Sequence, residues 1–219
     1  MTMNHCLDLI RSAGLIAIMR ARSADQLLAA ADALLAGGVR AIEVTFTTPD
    51  ALGVIEGARA RFGAAEVCFG AGTVLDPESA RAAILAGAQF IVAPNLNPAV
   101  IALGRRYSVP VLPGAYTPTE IVAAWEAGAA MVKVFPADVG GPGFIRALRA
   151  PLPQIELVPV GGVTLANTAS FVRAGAAAVG VGSALVEPAL LEARDFAALT
   201  ERARRFLAEV ERGRDPGSR

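Results

Sequence analysis

The feature that most constrains this chain is a rhythm. Eight short apolar runs recur along it, at Leu15–Arg20, Ala41–Phe46, Val67–Thr73, Phe90–Pro94, Val109–Gly114, Met131–Pro136, Leu157–Gly162 and Ala178–Ser183. Between them lie Ala- and Leu-rich segments with charges at helical spacing, such as SADQLLAAADALLAG and DPESARAAILAG. Strand alternating with helix predicts a parallel sheet, and eight repeats predict that it closes into a (β/α)8 TIM barrel. A further helix is expected at the N-terminus, ahead of the first strand. The runs are branched-aliphatic rather than alternating, as strands buried on both faces require. An open doubly wound sheet is the alternative, but no GxGxxG follows the first strand at Met19-Arg20.

A weak repeat supports the rhythm. LAGGVRAIEV, LAGAQFIVAP, EAGAAMVKVF and RAGAAAVGVG each pass from helix through glycine into a strand. Gly37, Gly87, Gly128 and Gly175 stand where a helix end takes a left-handed residue. Ser23, Asp76-Pro77, Thr117-Pro118 and Thr164 are read as helix starts. One domain over 1–212 is expected, with 213–219 as a flexible tail.

What the chain lacks narrows its chemistry. Net charge is zero and no stretch is strongly basic, so nucleic acid is not an expected partner. No apolar run reaches 18 residues and the N-terminus lacks a signal-peptide pattern, so no membrane partner and a cytoplasmic location are expected. Two cysteines without CxxC spacing make no disulfide scaffold. The single histidine, His5, is read as a surface residue, which leaves His-based zinc sites and Ser-His-Asp chemistry without material. No metal and no cofactor are expected.

In barrels, chemistry sits at the carboxyl ends of the strands. Polar residues there are few: Arg20, Glu43, Thr45, Thr47, Thr73, Lys133 and Ser183. Lys133 is the only lysine, the other 19 basic residues being arginine, and it stands mid-strand in MVKVFP. A buried ammonium is costly unless it is paired or loses its proton. Arginine suits a structural ion pair but cannot become neutral. A lysine here can lose its proton and attack a ketone; the competing reading is a structural ion pair with Glu43. Glu43, in AIEVTF, is a lone carboxylate within a strand, and its face carries Thr45. If both faces turn inward, an amine and a proton-transfer group share one pocket. The ends PVGGVT, leading into a helix from Leu165, and GVGSALV are glycine-rich, and suit an anion such as phosphate or simply tight turns. Thr73 and Arg20 are candidates for binding a carboxylate.

The series EVTFTTPDA, GAGTVLDP, FIVAPNLN, VLPG, TPTE, KVFPA, PVGGV and VGVGSALV resembles the 2-keto-3-deoxy-6-phosphogluconate (KDPG) and 4-hydroxy-2-oxoglutarate (KHG) aldolases, a group that includes the phosphogalactonate enzymes. The resemblance spans roughly residues 12–210. It implies a metal-independent class I aldolase acting on a phosphorylated 2-keto-3-deoxy sugar acid and releasing pyruvate. It further implies Lys133 as the Schiff-base residue, Glu43 as general acid/base acting through a water, and Thr73 and Arg20 on the pyruvate carboxylate. Pro94 and Phe135 would line the pyruvyl end, and Gly161, Gly162, Gly182 and Ser183 would take the phosphate. A homotrimer is implied as well. Two positions depart from the pattern. Thr47 stands where some members carry arginine, and Val160 stands where phosphogluconate members carry threonine. Valine cannot hydrogen-bond a substrate hydroxyl, so the C4 epimer stays open between the gluconate and galactonate series. A phosphosugar epimerase or isomerase using Glu43 alone, and a non-catalytic phosphate-binding barrel, are the other readings.

Overall fold

In a computed structural model, residues 3–20, 24–63 and 65–215 are described. Helix α1 (Met3–Ala13) precedes β1 (Leu15–Met19), α2 (Ala24–Ala36), β2 (Ala41–Thr45), α3 (Ala51–Arg61) and β3 (Cys68–Gly72). Next come α4 (Pro77–Leu85), β4 (Phe90–Val92), α5 (Pro98–Arg106), β5 (Val111–Leu112), β6 (Gly114–Ala115), α6 (Pro118–Glu126) and β7 (Val132–Val134). The chain continues through α7 (Gly141–Arg149), β8 (Leu157–Pro159), α8 (Thr168–Arg173), β9 (Val179–Val181), α9 (Pro188–Glu192) and α10 (Phe196–Arg214). Every run expected to be extended contains a strand. Among the described residues, no helix is long and apolar enough to cross a membrane.

The result is an α/β fold with a curled parallel sheet, hydrogen-bonded in two pieces. Six strands run in the order β5-β4-β3-β2-β1-β9, and three in the order β6-β7-β8. Prolines mark the divisions. Pro113 separates β5 from β6, and Pro159 ends β8, leaving a single parallel bridge, Val160 to Gly180, toward β9. Proline has no N–H to give a ladder, so continuous pairing stops there. The expected eight strands are therefore nine, one apolar run being split by its own proline.

Alternate residues face two separate cores. Ile16, Ile18, Phe90, Val92, Met131 and Val158 belong to an inner cluster enclosed by the sheet, joined by Cys6, Leu7 and Ile10 of α1. The intervening residues, such as Ala17, Ile42, Phe69 and Val134, pack outward against the helices. Strands buried on both faces account for the unbroken apolar runs. Helix α1 packs on β1 and β2. The two cysteines are free and buried, with the Cys68 thiol donating to the Cys6 carbonyl at 3.9 Å.

Several local expectations need correction. The left-handed residue after α2 is Gly38 (φ 97°), not Gly37, where a Cβ would lie 2.6 Å from that of Ala203. Gly87, Gly128 and Gly175 do take positive φ. Asp76 caps α4, and Thr117 forms a capping box with Glu120 on α6. Thr164 caps nothing: α8 begins at Thr168 rather than Leu165, and Asn167 instead accepts the Thr164 N–H at 2.8 Å. Ser23 lies outside the described residues. The expected tail begins too early, because α10 continues to Arg214, whose guanidinium donates to the Ser12 and Arg11 carbonyls at 2.7 and 2.6 Å; 216–219 lie outside the described residues. His5 is half-buried rather than at the surface, and its Nε2 is buried without a hydrogen-bond partner.

Candidate active site

Lys133 is the middle residue of β7, in register with Gly114 on one side and Val158 on the other. It is only 7% exposed. Burial lowers its amine pKa from the ordinary lysine value; Glu43 opposes that shift and Arg20 adds to it. Glu43 lies on β2 and is 2% exposed. Burial drives its carboxyl above the ordinary range, opposed by Lys133 and then Arg20. Desolvation thus pushes both groups toward their neutral forms, and each partly restrains the other. Among the described residues the two form no direct ion pair, which leaves the lysine free of a salt-bridging carboxylate.

The glycines around this pair are where bulk is forbidden. A Cβ at Gly72 would fall 1.9 Å from Glu43 Oε1, and one at Gly114 would fall 2.2 Å from the Pro94 carbonyl. Pro94 therefore packs on the strand next to Lys133. Thr73 follows Gly72 with φ 62°, a left-handed conformation that is costly for a β-branched residue. Thr47 is exposed beyond β2, and its hydroxyl meets the Thr45 hydroxyl at 2.8 Å. Thr45 itself is fully buried.

A cavity of about 350 Å³ opens among the residues at and beyond the ends of β1, β7, β8 and β9. Of the expected residues, Arg20, Phe135, Val160, Gly161, Gly162, Gly182 and Ser183 line it. Lys133 lies behind the Phe135 ring, with its Nζ 5.0 Å from the centroid. Glu43, Thr47, Thr73 and Pro94 are outside this lining. Gly161 and Gly162 adopt φ of 94° and 69°, so any side chain there would be strained. The cavity wall here is turn backbone, since the six-residue α8 starts too late to present its N-terminus as expected. A larger cleft of about 630 Å³ lies among Arg146, Arg173 and Arg214, in the last turns of α7, α8 and α10. The turns of α7 and α8 lead into the amino ends of β8 and β9, opposite the strand ends where Gly161, Gly162, Gly182 and Ser183 lie, so size alone does not identify the site.

Gly72, Ile18 and Thr164 are not among the residues expected from the sequence, and Thr45 is a candidate there without an assigned role. Thr45 and Gly72 carry a usable signal: both lie in the same strands as assigned residues, two positions from Glu43 and one before Thr73. Ile18 and Thr164, which line the cavity, carry no such mark. Among the described residues, no three His, Cys, Asp or Glu side chains gather as metal ligands would.

Fold and site together define an α/β protein of the kind whose reactive groups collect at the carboxyl ends of parallel strands, here with a desolvated amine at the centre. Comparison with known proteins makes the assignment particular. The family profile "Aldolase: KDPG and KHG aldolase" matches residues 7–202, and the chain belongs to that family of carbon–carbon lyases. It is 38% identical to the 2-dehydro-3-deoxy-phosphogluconate aldolase of Treponema pallidum, over 95% of this chain and 98% of that one. It is 41% identical to the 2-dehydro-3-deoxy-6-phosphogalactonate aldolase of Escherichia coli K12, over 78% of this chain and 83% of the other. The structure superposes with a TM-score of 0.84 on KDPG aldolase from Legionella pneumophila with pyruvate captured as a covalent carbinolamine. That protein is 27% identical, with 90% and 96% of the two chains covered.

Proposed function

We propose that this protein cleaves 2-keto-3-deoxy-6-phosphogluconate reversibly to pyruvate and glyceraldehyde 3-phosphate, through a Schiff base on Lys133. The observation that carries the reading is the chain's only amine side chain, buried mid-strand with its pKa driven down and a protonatable carboxyl nearby. The neutral amine attacks the C2 ketone, and loss of water from the carbinolamine gives an iminium. Glu43, through a water, moves protons during dehydration and takes the proton of the C4 hydroxyl. The C3–C4 electron pair flows into the iminium, the aldehyde leaves, and the remaining enamine is protonated at C3. Hydrolysis then frees pyruvate and the amine.

Thr73 and Arg20 hold the pyruvyl carboxylate, Pro94 and Phe135 pack on the pyruvyl end, and Thr47 faces the middle of the substrate. Gly161, Gly162, Gly182 and Ser183 receive the phosphate. The chain forms one barrel domain that includes α10 to Arg214, with the two pieces of the sheet closed on each other. Closure is supported by the Val160–Gly180 bridge and by the Ala177 N–H donating to the Leu157 carbonyl at 2.9 Å. The chain works in the cytoplasm as a homotrimer, as the family resemblance implies.

A second reading, cleavage of the phosphogalactonate epimer, is favoured by Val160, which presents an apolar wall where a threonine would offer a hydroxyl. The test of the main reading is borohydride reduction in the presence of pyruvate, followed by peptide mapping. A reduced pyruvyl adduct on Lys133 is expected. An unmodified lysine, with sugar-phosphate isomerisation instead, would assign the site to an isomerase using Glu43 alone.

A further inference from the structure

Gly72 has no side chain to contribute, yet it touches the most consequential carboxyl in the protein. The register pairs Glu43 with Gly70 and Thr45 with Gly72, so Glu43 reaches diagonally along the neighbouring strand. A Cβ built on Gly72 would stand 1.9 Å from Glu43 Oε1, 2.5 Å from Cδ and 2.6 Å from Cγ. The carboxyl end of Glu43 therefore occupies the space a side chain at position 72 would need. The backbone cannot yield to make room. All of β3 is buried, the Phe46 N–H donates to the Gly72 carbonyl at 2.8 Å, and Thr73 beyond it is already turned left-handed.

We propose that Gly72 is a positioning residue: its bare Cα is the seat that fixes the Glu43 carboxyl for proton transfer. Among the described residues, no side chain hydrogen-bonds to that carboxyl, so shape is what holds it. The seat is steric. It holds the group by shape, without a donor that would pin it in one protonation state. A carboxyl that must both accept and return a proton gains from such a mount, since hydrogen bonds to either form would bias its pKa. The inference rests on the aldolase reading for Glu43's role.

The test is a double-mutant cycle of Gly72→Ala, Glu43→Ala and both together, with Lys133 trapping measured in parallel. Gly72→Ala should lower kcat for cleavage by about 100-fold, the scale of a 1 Å misplacement, with KM changed by less than about threefold. Its equilibrium yield of borohydride adduct should match that of the wild type. Alanine at position 43 removes Oε1, Cδ and Cγ, the three atoms nearest the added methyl. Gly72→Ala should therefore cost less than about threefold of the residual kcat in the Glu43→Ala background, a coupling that independent sites do not show. Wild-type kcat in Gly72→Ala, or equal losses in both backgrounds, would overturn the proposal. If Gly72→Ala fails to fold, Glu43→Ala/Gly72→Ala must fold; failure of both would locate the obstruction in the backbone and also overturn it. Failure of trapping in the wild type would instead remove the Schiff-base reading, whereas the melting temperatures of the cycle still report on the seat.

Discussion

Replacing Gly182 by alanine isolates the phosphate end of the site. Gly182 needs no positive φ, and a Cβ there would find only Arg20 Nη1 within 4 Å, at 3.5 Å, an ordinary contact. The fold therefore has no reason to object. Loss of glycine's freedom in the unfolded chain should even stabilise by about 0.4–1 kcal/mol. The new methyl stands at the wall of the cavity of about 350 Å³, beside the Arg20 guanidinium. A phosphate oxygen bonded to backbone N–H groups must come within about 2.7–2.9 Å of nitrogen, and the methyl occupies that approach. Losing one charge-assisted hydrogen bond costs about 1.5–3 kcal/mol, which at about 1.4 kcal/mol per decade is roughly 10- to 100-fold in binding. Pyruvate release coupled to lactate dehydrogenase gives kcat/KM for the phosphorylated substrate and for 4-hydroxy-2-oxoglutarate, which has no phosphate. The first should fall by that factor, the second should stay within about twofold, and the melting temperature should hold or rise. Equal losses on both substrates, or none on either, would refute the phosphate assignment.

Glu43→Gln should shift the acid limb of kcat/KM to lower pH, in addition to slowing turnover. The carboxylate raises the Lys133 pKa against the effect of burial, so removing it lets that pKa fall further; a pH–rate profile that keeps its limb would exclude the coupling. Lys133→Met should give no borohydride adduct, and at neutral pH it should be spared the cost of burying an ammonium. The sign follows from linkage. With the folded pKa depressed, the unfolded chain binds more protons between that value and the ordinary 10.5, so the native lysine penalty is largest below this window and vanishes above it. Thermal melts from neutral to alkaline pH should therefore show the mutant's advantage shrinking, and an advantage that grows with pH would contradict the burial argument. Val160→Thr should move kcat/KM toward the gluconate-derived substrate relative to the galactonate-derived one, by about tenfold for one net hydrogen bond. An unchanged ratio would remove Val160 from epimer selection.

The site residues that could be read from sequence share one property: each violates the apolar pattern of its own strand. A charge in MVKVFP or AIEVTF is conspicuous because both faces of a parallel strand are buried, so Lys133 and Glu43 stand out before any coordinates exist. Pro113 and Pro159 were equally visible, yet their effect was not. Whether a proline divides a sheet depends on which neighbour its missing N–H faced, and that is a property of register. The start of α8 was misread for a related reason. Thr164 has the chemistry of a cap, but the turn through Gly161 and Gly162 lets Asn167 bond back to the Thr164 N–H and the Gly162 carbonyl, and the helix starts only after that closure. Gly72 is only half legible: its place before Thr73 at the end of a strand is plain in GAGTVLDP, but its meaning depends on a glutamate 29 positions earlier lying across the adjacent strand. Local pattern reveals groups that are costly to bury. What holds those groups in place is set by neighbours across the sheet, and an empty position can hold as firmly as a filled one.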